Sequence, residues 1–232
     1  MLSLFHNFLE IPHNDLCRTW AANRTMMLLK ISKTTSELII KLHPPIEVTP
    51  NFSFFQNDFG NDKSTHEQKL QFMMSSLEEL ATKCMITKLN LNACKIELVV
   101  NKLHKILRQC PELNILNLSY NQISCRQAAF LAESIKECSM LKELNLETNG
   151  FGNNGAMFIV KMLLHNKSLT RLNLSDNFIH DGGIETLTEV LLQCTTLIHL
   201  DLCGNFISDE AAAKLAVVLP HCTIVVRYAD RL

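Results

Sequence analysis

Residues 113–123 read LNILNLSYNQI, and the places of Leu113, Leu116, Leu118, Asn121 and Ile123 within them decide the fold. The same five places return 28 residues later as Leu141, Leu144, Leu146, Asn149 and Phe151. They return again as Leu169, Leu172, Leu174, Asn177 and Ile179, then as Leu197, Leu200, Leu202, Asn205 and Ile207. A fifth copy stands 27 residues upstream as Ile86, Leu89, Leu91, Cys94 and Ile96. In an extended segment alternate side chains point to opposite faces, so Leu116 and Leu118 go inward while Asn117 points out. One such segment cannot bury its apolar face alone. Stacked copies share a continuous core, and their outward residues line a long curved surface.

The stretches between these segments carry a helical period. Ala128, Leu131, Ala132 and Ile135 recur as Ala156, Ile159, Val160 and Leu163. Ile184, Leu187, Thr188 and Leu191 follow, then Ala212, Leu215, Ala216 and Leu219. Spacing of i, i+3, i+4 and i+7 puts each set on one helix face. Asp181 and Asp209, with Asn153 at the same phase, stand where helix N-caps are expected. Pro220 ends the last helix because it cannot continue the hydrogen-bond ladder. Asn121, Asn149, Asn177 and Asn205 fall where each strand turns. A buried amide there can satisfy backbone groups of its own and adjacent turns, so a ladder of asparagines is expected. Cys94, at the first rung, can do this only weakly.

The pattern LxxLxLxx(N/C)xL is the signature of a leucine-rich repeat. Segments such as LTRLNLSDNFIHDGGIETLTEVLLQC (169–194) and LIHLDLCGNFISDEAAAKLAVVLPHC (197–222) resemble the ribonuclease-inhibitor class, and the likeness covers residues 84–222. This class includes the ribonuclease inhibitor, the activator of the Ran GTPase and the sensor ends of NOD-like receptors. The resemblance implies an α/β leucine-rich-repeat solenoid, a horseshoe arc with parallel strands on the concave face and helices on the convex face. It also implies a cytosolic setting and a role in binding proteins. It selects none of these proteins, because the shared residues are framework and not contact surface.

The ends depart from the pattern. Residues 46–83 are expected to form an N-terminal cap or degenerate repeat, with a strand at Phe52-Ser53-Phe54 followed by Asn57 and Phe59. A helix over 66–83 would then cover the first core through Met73, Leu77 and Leu80. Residues 1–45 read as an N-terminal helical segment, with a helix over 14–31 around Trp20, the only tryptophan. Leu4, Phe8, Ile11, Pro12, Leu16 and Trp20 resemble the order of an F-box, which would make the chain the substrate-recognition adaptor of a ubiquitin ligase. The spacing is short for that family and its second hydrophobic helix is not evident, so a mainly helical cap is the reading taken. Residues 223–232 form an incomplete C-terminal repeat, with Val225 and Tyr228 at the first two leucine phases and Asp230 at the third.

Composition removes several function classes. Twenty-two basic and 23 acidic residues give a formal charge of −1, so nothing favours nucleic acid or an anionic membrane as partner. No apolar run approaches the roughly 18 residues of a membrane span. MLSLFHNFLE has neither the basic start nor the long apolar stretch of a secretory signal. Of nine cysteines, Cys110, Cys138, Cys194 and Cys222 share one phase of the repeat, with Asn166 filling the missing turn. An odd total with no C-x-x-C pair argues for reduced, structural thiols, no zinc site, and a cytoplasmic location. A bacterial effector delivered into a host cell would share this framework with a host regulator. There is no G-x-S-x-G, H-E-x-x-H or phosphate loop. Cys17 lies near His6, His13 and His43 in sequence, but nothing brings them together. No catalytic residue, metal or cofactor is expected, and the chain is read as not an enzyme.

Contacts are expected on the outward strand positions. One column runs Lys88, Ile115, Glu143, Arg171, His199. A second runs Asn90, Asn117, Asn145, Asn173, Asp201, and a third Asn92, Ser119, Glu147, Ser175, Cys203. Tyr120, Thr148, Asp176 and Gly204 come just past the strands. Tyr120, Glu143, Glu147, Arg171, Asp176 and His199 form the candidate contact patch, since tyrosine and arginine are favoured interface anchors. Phe178 and Phe206 follow the ladder asparagines where Gln122 and Gly150 stand earlier. They are expected to pack against the next turn, and would mark a partner site if exposed. The function read from these residues is a non-catalytic protein–protein interaction scaffold, monomeric on its own. Regulation of a small GTPase is the further alternative, resting on the Ran-activator resemblance.

Overall fold

The computed structural model describes residues 9–10, 46–50 and, apart from positions 72, 73, 76, 83, 97 and 98, residues 70–226. Five strand–helix units follow one another: β3 (Ile86–Asn90) and α1 (Val100–Arg108), β4 (Ile115–Asn117) and α2 (Cys125–Ile135), β5 (Glu143–Asn145) and α3 (Gly152–Met162), β6 (Arg171–Asn173) and α4 (Asp181–Leu191), β7 (His199–Asp201) and α5 (Asp209–Val218). Two strands precede them, β1 (Leu9–Glu10) and β2 (Ile46–Pro50), and β8 (Thr223–Val225) closes the described part. The sheet keeps the order of the chain, β1 to β8. Strands β2 to β8 run parallel, and β1 pairs antiparallel with β2. The chain is thus an α/β solenoid with strands lining the concave side and helices the convex side.

Register follows the repeat. Leu89, Leu116, Leu144, Leu172 and Leu200 stand side by side across the sheet. These leucines, the second leucine of each Leu-x-Leu, and the inward helix residues form one buried cluster. The helix stripe opens toward the C-terminal end: Ala132 and Val160 are buried, Thr188 is half-buried and Ala216 is exposed. Among the described residues only β8 follows α5.

The asparagine ladder is present at every rung from Asn121 onward. The Asn149 carbonyl oxygen accepts from the N–H groups of Asn121 and Ile123, both at 3.1 Å. Its amide nitrogen donates to the carbonyls of Leu118 (3.0 Å), Leu146 (2.8 Å) and Glu147 (3.2 Å). Asn121, Asn177 and Asn205 are buried in the same way and clip each turn to the one before. Cys94 has no amide to offer; its thiol reaches only the Asn92 carbonyl at 3.5 Å.

Helix starts correct one expectation. The N-caps of α4 and α5 are His180 and Ser208, not Asp181 and Asp209, which occupy the first helical position. Ser208 accepts from the Ala211 N–H at 3.3 Å, and Ser124 forms a capping box with Gln127 at the start of α2. The Asp181 carboxylate instead reaches the next turn and accepts from the Ser208 N–H at 2.7 Å. Asn153 does likewise toward the His180 N–H at 2.8 Å. A carboxylate at the first helical position lies beside the following turn's loop, so it serves its neighbour.

No disulfide joins the eight described cysteines. Cys110, Cys138, Cys194 and Cys222 are buried in one column. In their place Asn166 donates to the carbonyls of Ile135 (3.1 Å) and Cys138 (3.0 Å) and accepts from the N–H groups of Ser168 and Leu169. Burial pushes the Cys110 thiol up to about 12 and Cys138 and Cys222 up to about 11, and it raises Cys94 as well.

Both ends differ in detail from expectation. The strand beside β3 is Ile46–Pro50, ahead of the Phe52–Phe54 segment, which lies outside the described residues. Ile46-Glu47-Val48 offers the same apolar-polar-apolar alternation, with β-branched residues that favour a strand. Helical positions between 70 and 82 bury Leu70, Met74, Leu77 and Ala81 against the first turn, with Leu80 partly buried. Met73 lies outside the described residues, as do the helix expected over 14–31 and the F-box-like residues. At the other end Ile224, not Tyr228, pairs with Leu200. In earlier turns four residues separate the cysteine phase from the strand, as between Cys194 and His199, but β8 starts directly after Cys222. The four residues of the usual return are skipped, so the 28-residue phase ends at Cys222.

Candidate protein-interaction surface

The strands are short because the side chain of their last residue turns the chain. Asn117 accepts from the Ser119 N–H at 3.0 Å, Asn145 from Glu147 at 2.9 Å, Asn173 from Ser175 at 2.9 Å, and Asp201 from Cys203 at 2.9 Å. These are local side-chain turns of the kind Asn and Asp favour. The second outward column therefore does structural work, although the sequence pattern alone makes it look like a solvated face. In the third column Ser119 and Ser175 are buried, and their hydroxyls donate to Asn117 and Asn173 at 2.7 Å.

Past β4, β5 and β6 the backbone enters the left-handed region twice within three residues, and past β7 it does so at Gly204 but not at Phe206. Tyr120, Thr148, Asp176 and Gly204 have φ of 58°, 52°, 53° and 66°. Two residues on, Gln122, Gly150 and Phe178 have φ of 54°, 87° and 60°. For residues other than glycine this conformation costs roughly 1–2 kcal/mol. Its effect is to throw these side chains outward onto the rim where strands lead into helices. A bulky residue there is rare, and Phe178 stands where the preceding turn has Gly150.

The two phenylalanines stack from one turn to the next, as expected, but stay exposed outside the core. Phe178 is 59% exposed and Phe206 54%. Their rings are stacked on each other, with centroids 6.1 Å apart and planes at 13°. Phe178 extends over Gly150, where an added Cβ would stand 3.3 Å from the ring. His180 stacks on Phe206 at 4.8 Å, also at 13°. A backbone bridge between His180 and Phe206, with the Phe206 N–H donating to the Ile179 carbonyl at 2.8 Å, fixes this third ring. Sequence reasoning missed His180. The available signal was its place next to the start of α4, two residues beyond Phe178.

The remaining candidates fall into pairs. Tyr120, 51% exposed, donates from its hydroxyl to the Glu147 carboxylate of the next turn at 3.4 Å. Arg171 and Glu143 stand side by side in the first column, with Nε 3.8 Å from the carboxylate and both side chains about half exposed. An exposed pair at that distance contributes at most about 1 kcal/mol. His199 follows Arg171 in the same column and is half-buried. Asp176 is exposed, and its carboxylate occupies the space a side chain at Gly204 would fill. Tyr120 and His199 belong to turns three apart, roughly 14 Å across the sheet at the usual strand spacing and further apart along the strands, so they share one face without touching. At the N-terminal end of the first column Lys88 pairs with Glu47.

Among the described residues no group of three or more His, Cys, Asp or Glu is placed to hold a metal ion. No described helix is long and apolar enough to cross a membrane. Cys17, His6, His13 and His43 lie outside the described residues.

A family model described as a leucine-rich repeat matches residues 137–160, 165–187 and 193–216. No curated protein sequence matches the chain. Among solved structures, a segment of leiomodin-1 described as its actin-binding site 2 superposes with a TM-score of 0.51 at 18% identity, covering 64% of this chain and 86% of that one. The C-terminal domain of tropomodulin from Caenorhabditis elegans gives 0.53 at 16% identity, covering 64% and 92%. LegL7 of Legionella pneumophila, described as a leucine-rich-repeat-containing protein, gives 0.52 at 20% identity, covering 68% of this chain and 52% of its own. At these identities the likeness concerns the fold alone. With its repeats legible in sequence, laid side by side in a parallel sheet and matched over three turns by the repeat model, the chain carries leucine-rich repeats that fold as a leucine-rich-repeat solenoid.

Proposed function

We propose that the chain is a non-catalytic scaffold that binds a protein partner on the strand-to-helix rim and adjoining concave columns. The contact residues are Tyr120, Glu143, Glu147, Arg171, Asp176, His199, Phe178 and Phe206. The single observation that carries this reading is the exposed, stacked pair of Phe178 and Phe206, one of them held in a left-handed conformation that glycine occupies one turn earlier. Apolar rings kept in water, one of them at a backbone cost, are not explained by folding, whereas they suit the buried centre of an interface. The leiomodin-1 segment, described as an actin-binding site, shows a relative in fold engaged by a protein. The same proposal places the chain in the cytoplasm, supported by a column of buried, unbridged cysteines that suits a reducing compartment. The kinship to the ribonuclease-inhibitor class belongs to it too, supported by the 28-residue unit with a full helix.

Affinity capture with crosslinking from cell extract tests this reading, comparing wild type with a Phe178→Ser, Phe206→Ser variant whose stability is measured alongside. Specific partners lost by the variant at unchanged stability are the expected result. Unchanged binding with a large loss of stability would show the rings to be structural and end the proposal.

A further inference from the structure

Taking the rim as the contact surface proposed above, we infer the chemistry of what binds it: a partner segment that lays an apolar side chain on Phe178 and Phe206 and sets an adjacent lysine or arginine against Asp176 and Glu147. The aromatic row is the apolar half of this site. The charge around it is the other half. From residue 143 to 210 the chain carries nine carboxylates against three lysines and arginines, although the whole is nearly neutral. Of those three cations, Lys161 lies on α3 and Lys167 in the helix-to-strand return, at the far end of the strands from the rim. Only Arg171 stands on the concave face, and Glu143 already faces it.

Glu147 receives no more than the Tyr120 hydroxyl as a side-chain partner on the rim. Among the described residues the Asp176 carboxylate has neither a cation nor a hydrogen-bond donor. Two turns of exposed aromatic rings are thus flanked by carboxylates left without cations. A lysine lays its aliphatic stem along apolar surface while its head reaches a carboxylate, and an arginine stacks on a ring face as well. An acidic segment would meet like charge at Asp176, Glu147 and Asp201, which costs affinity and slows encounter. A basic segment with an apolar anchor is the occupant that satisfies both halves.

The test uses displayed random linear peptides selected on the full chain. The best peptide is then labelled and titrated by fluorescence anisotropy against wild type, a Phe178→Gly, Phe206→Ser variant, and an isosteric Glu147→Gln, Asp176→Asn variant. Urea midpoints for all three proteins confirm that each is folded. The expected result is enrichment of arginine or lysine beside leucine, methionine or an aromatic residue, with affinity falling about tenfold in each variant. Enrichment of neutral or acidic peptides that still need the two phenylalanines would overturn this inference and leave the rim as the contact surface. Peptides indifferent to the phenylalanines would overturn the rim reading itself. Failure of any peptide to enrich over the phenylalanine variant would overturn the inference.

Discussion

The carboxylate of Asp181 accepts a hydrogen bond from the backbone N–H of Ser208, 27 residues later, at 2.7 Å. One helix start is thereby tied to the next, outside the core. The bond to the Ser208 backbone is the main reason the Asp181 carboxyl sits below the ordinary aspartate range. A carboxyl with a lowered folded pKa contributes stability that is present above its unfolded value and lost as pH falls through the folded one. Asp181→Ala should lower the urea midpoint at neutral pH, and the gap from wild type should close below about pH 4. Asp181→Asn keeps an acceptor and should lose less. A gap that persists unchanged in strong acid would show that the carboxylate is not the cause.

Asn149→Ala removes five hydrogen bonds at once and leaves the buried N–H groups of Asn121 and Ile123 without partners, while the carbonyls of Leu118, Leu146 and Glu147 keep donors from Asn121, Asn177 and Tyr120. Each such orphan costs about 1–3 kcal/mol, so a loss on the order of 3 kcal/mol or more is expected in chemical denaturation. Asn149→Asp should also be strongly destabilising, because a carboxylate cannot donate to the carbonyls of Leu118, Leu146 and Glu147. A loss under about 1 kcal/mol for both would show that water replaces the amide.

Phe178→Gly separates strain from packing. The ring is largely in water, and glycine adopts φ near 60° freely. Relief of strain and the greater freedom of glycine in the unfolded chain oppose each other, so stability should stay within about 1 kcal/mol of wild type. Truncation of a buried phenylalanine costs about 3–5 kcal/mol, and a loss of that size would mean the ring belongs to the core.

The raised thiols set an alkaline limit. An unfolded chain releases thiol protons near the ordinary cysteine range, while Cys110, Cys138 and Cys222 hold theirs to about 12, 11 and 11 because they are buried. Their contribution is therefore complete below the ordinary range and lost as pH climbs toward those values. Stability should fall steadily between about pH 9 and 11. Alkylation of the folded protein at pH 8, mapped by mass spectrometry, should reach half-exposed Cys125 well before Cys110, Cys138 or Cys194. Equal labelling of the buried column would contradict the packing.

The Leu-x-Leu copies made the solenoid and its register legible, because a period of 28 leaves each leucine one place to stand. The concave columns were legible for the same reason. What the repeat could not reveal lies where its period or backbone changes. The jump of register after Cys222 comes from four skipped residues, and the outward turn of Phe178 from a positive φ that sequence signals only through Gly150 one turn earlier. The role of Asn117, Asn145 and Asn173 in ending their strands was hidden because an amide at that place equally suits a wet surface. Asp181 was misassigned as a cap by one residue, since its partner lies in the next turn and not in its own helix.

A photo-crosslinking benzophenone side chain, placed in turn at Phe178, Phe206 and Phe130, tests the central claim most directly. All three positions are exposed phenylalanines, but Phe130 lies on α2 at the convex side. The account predicts that one protein partner crosslinks at 178 and 206 and leaves 130 unmodified. Crosslinking of that partner at 130 alone would place its contact on the convex side and contradict the account.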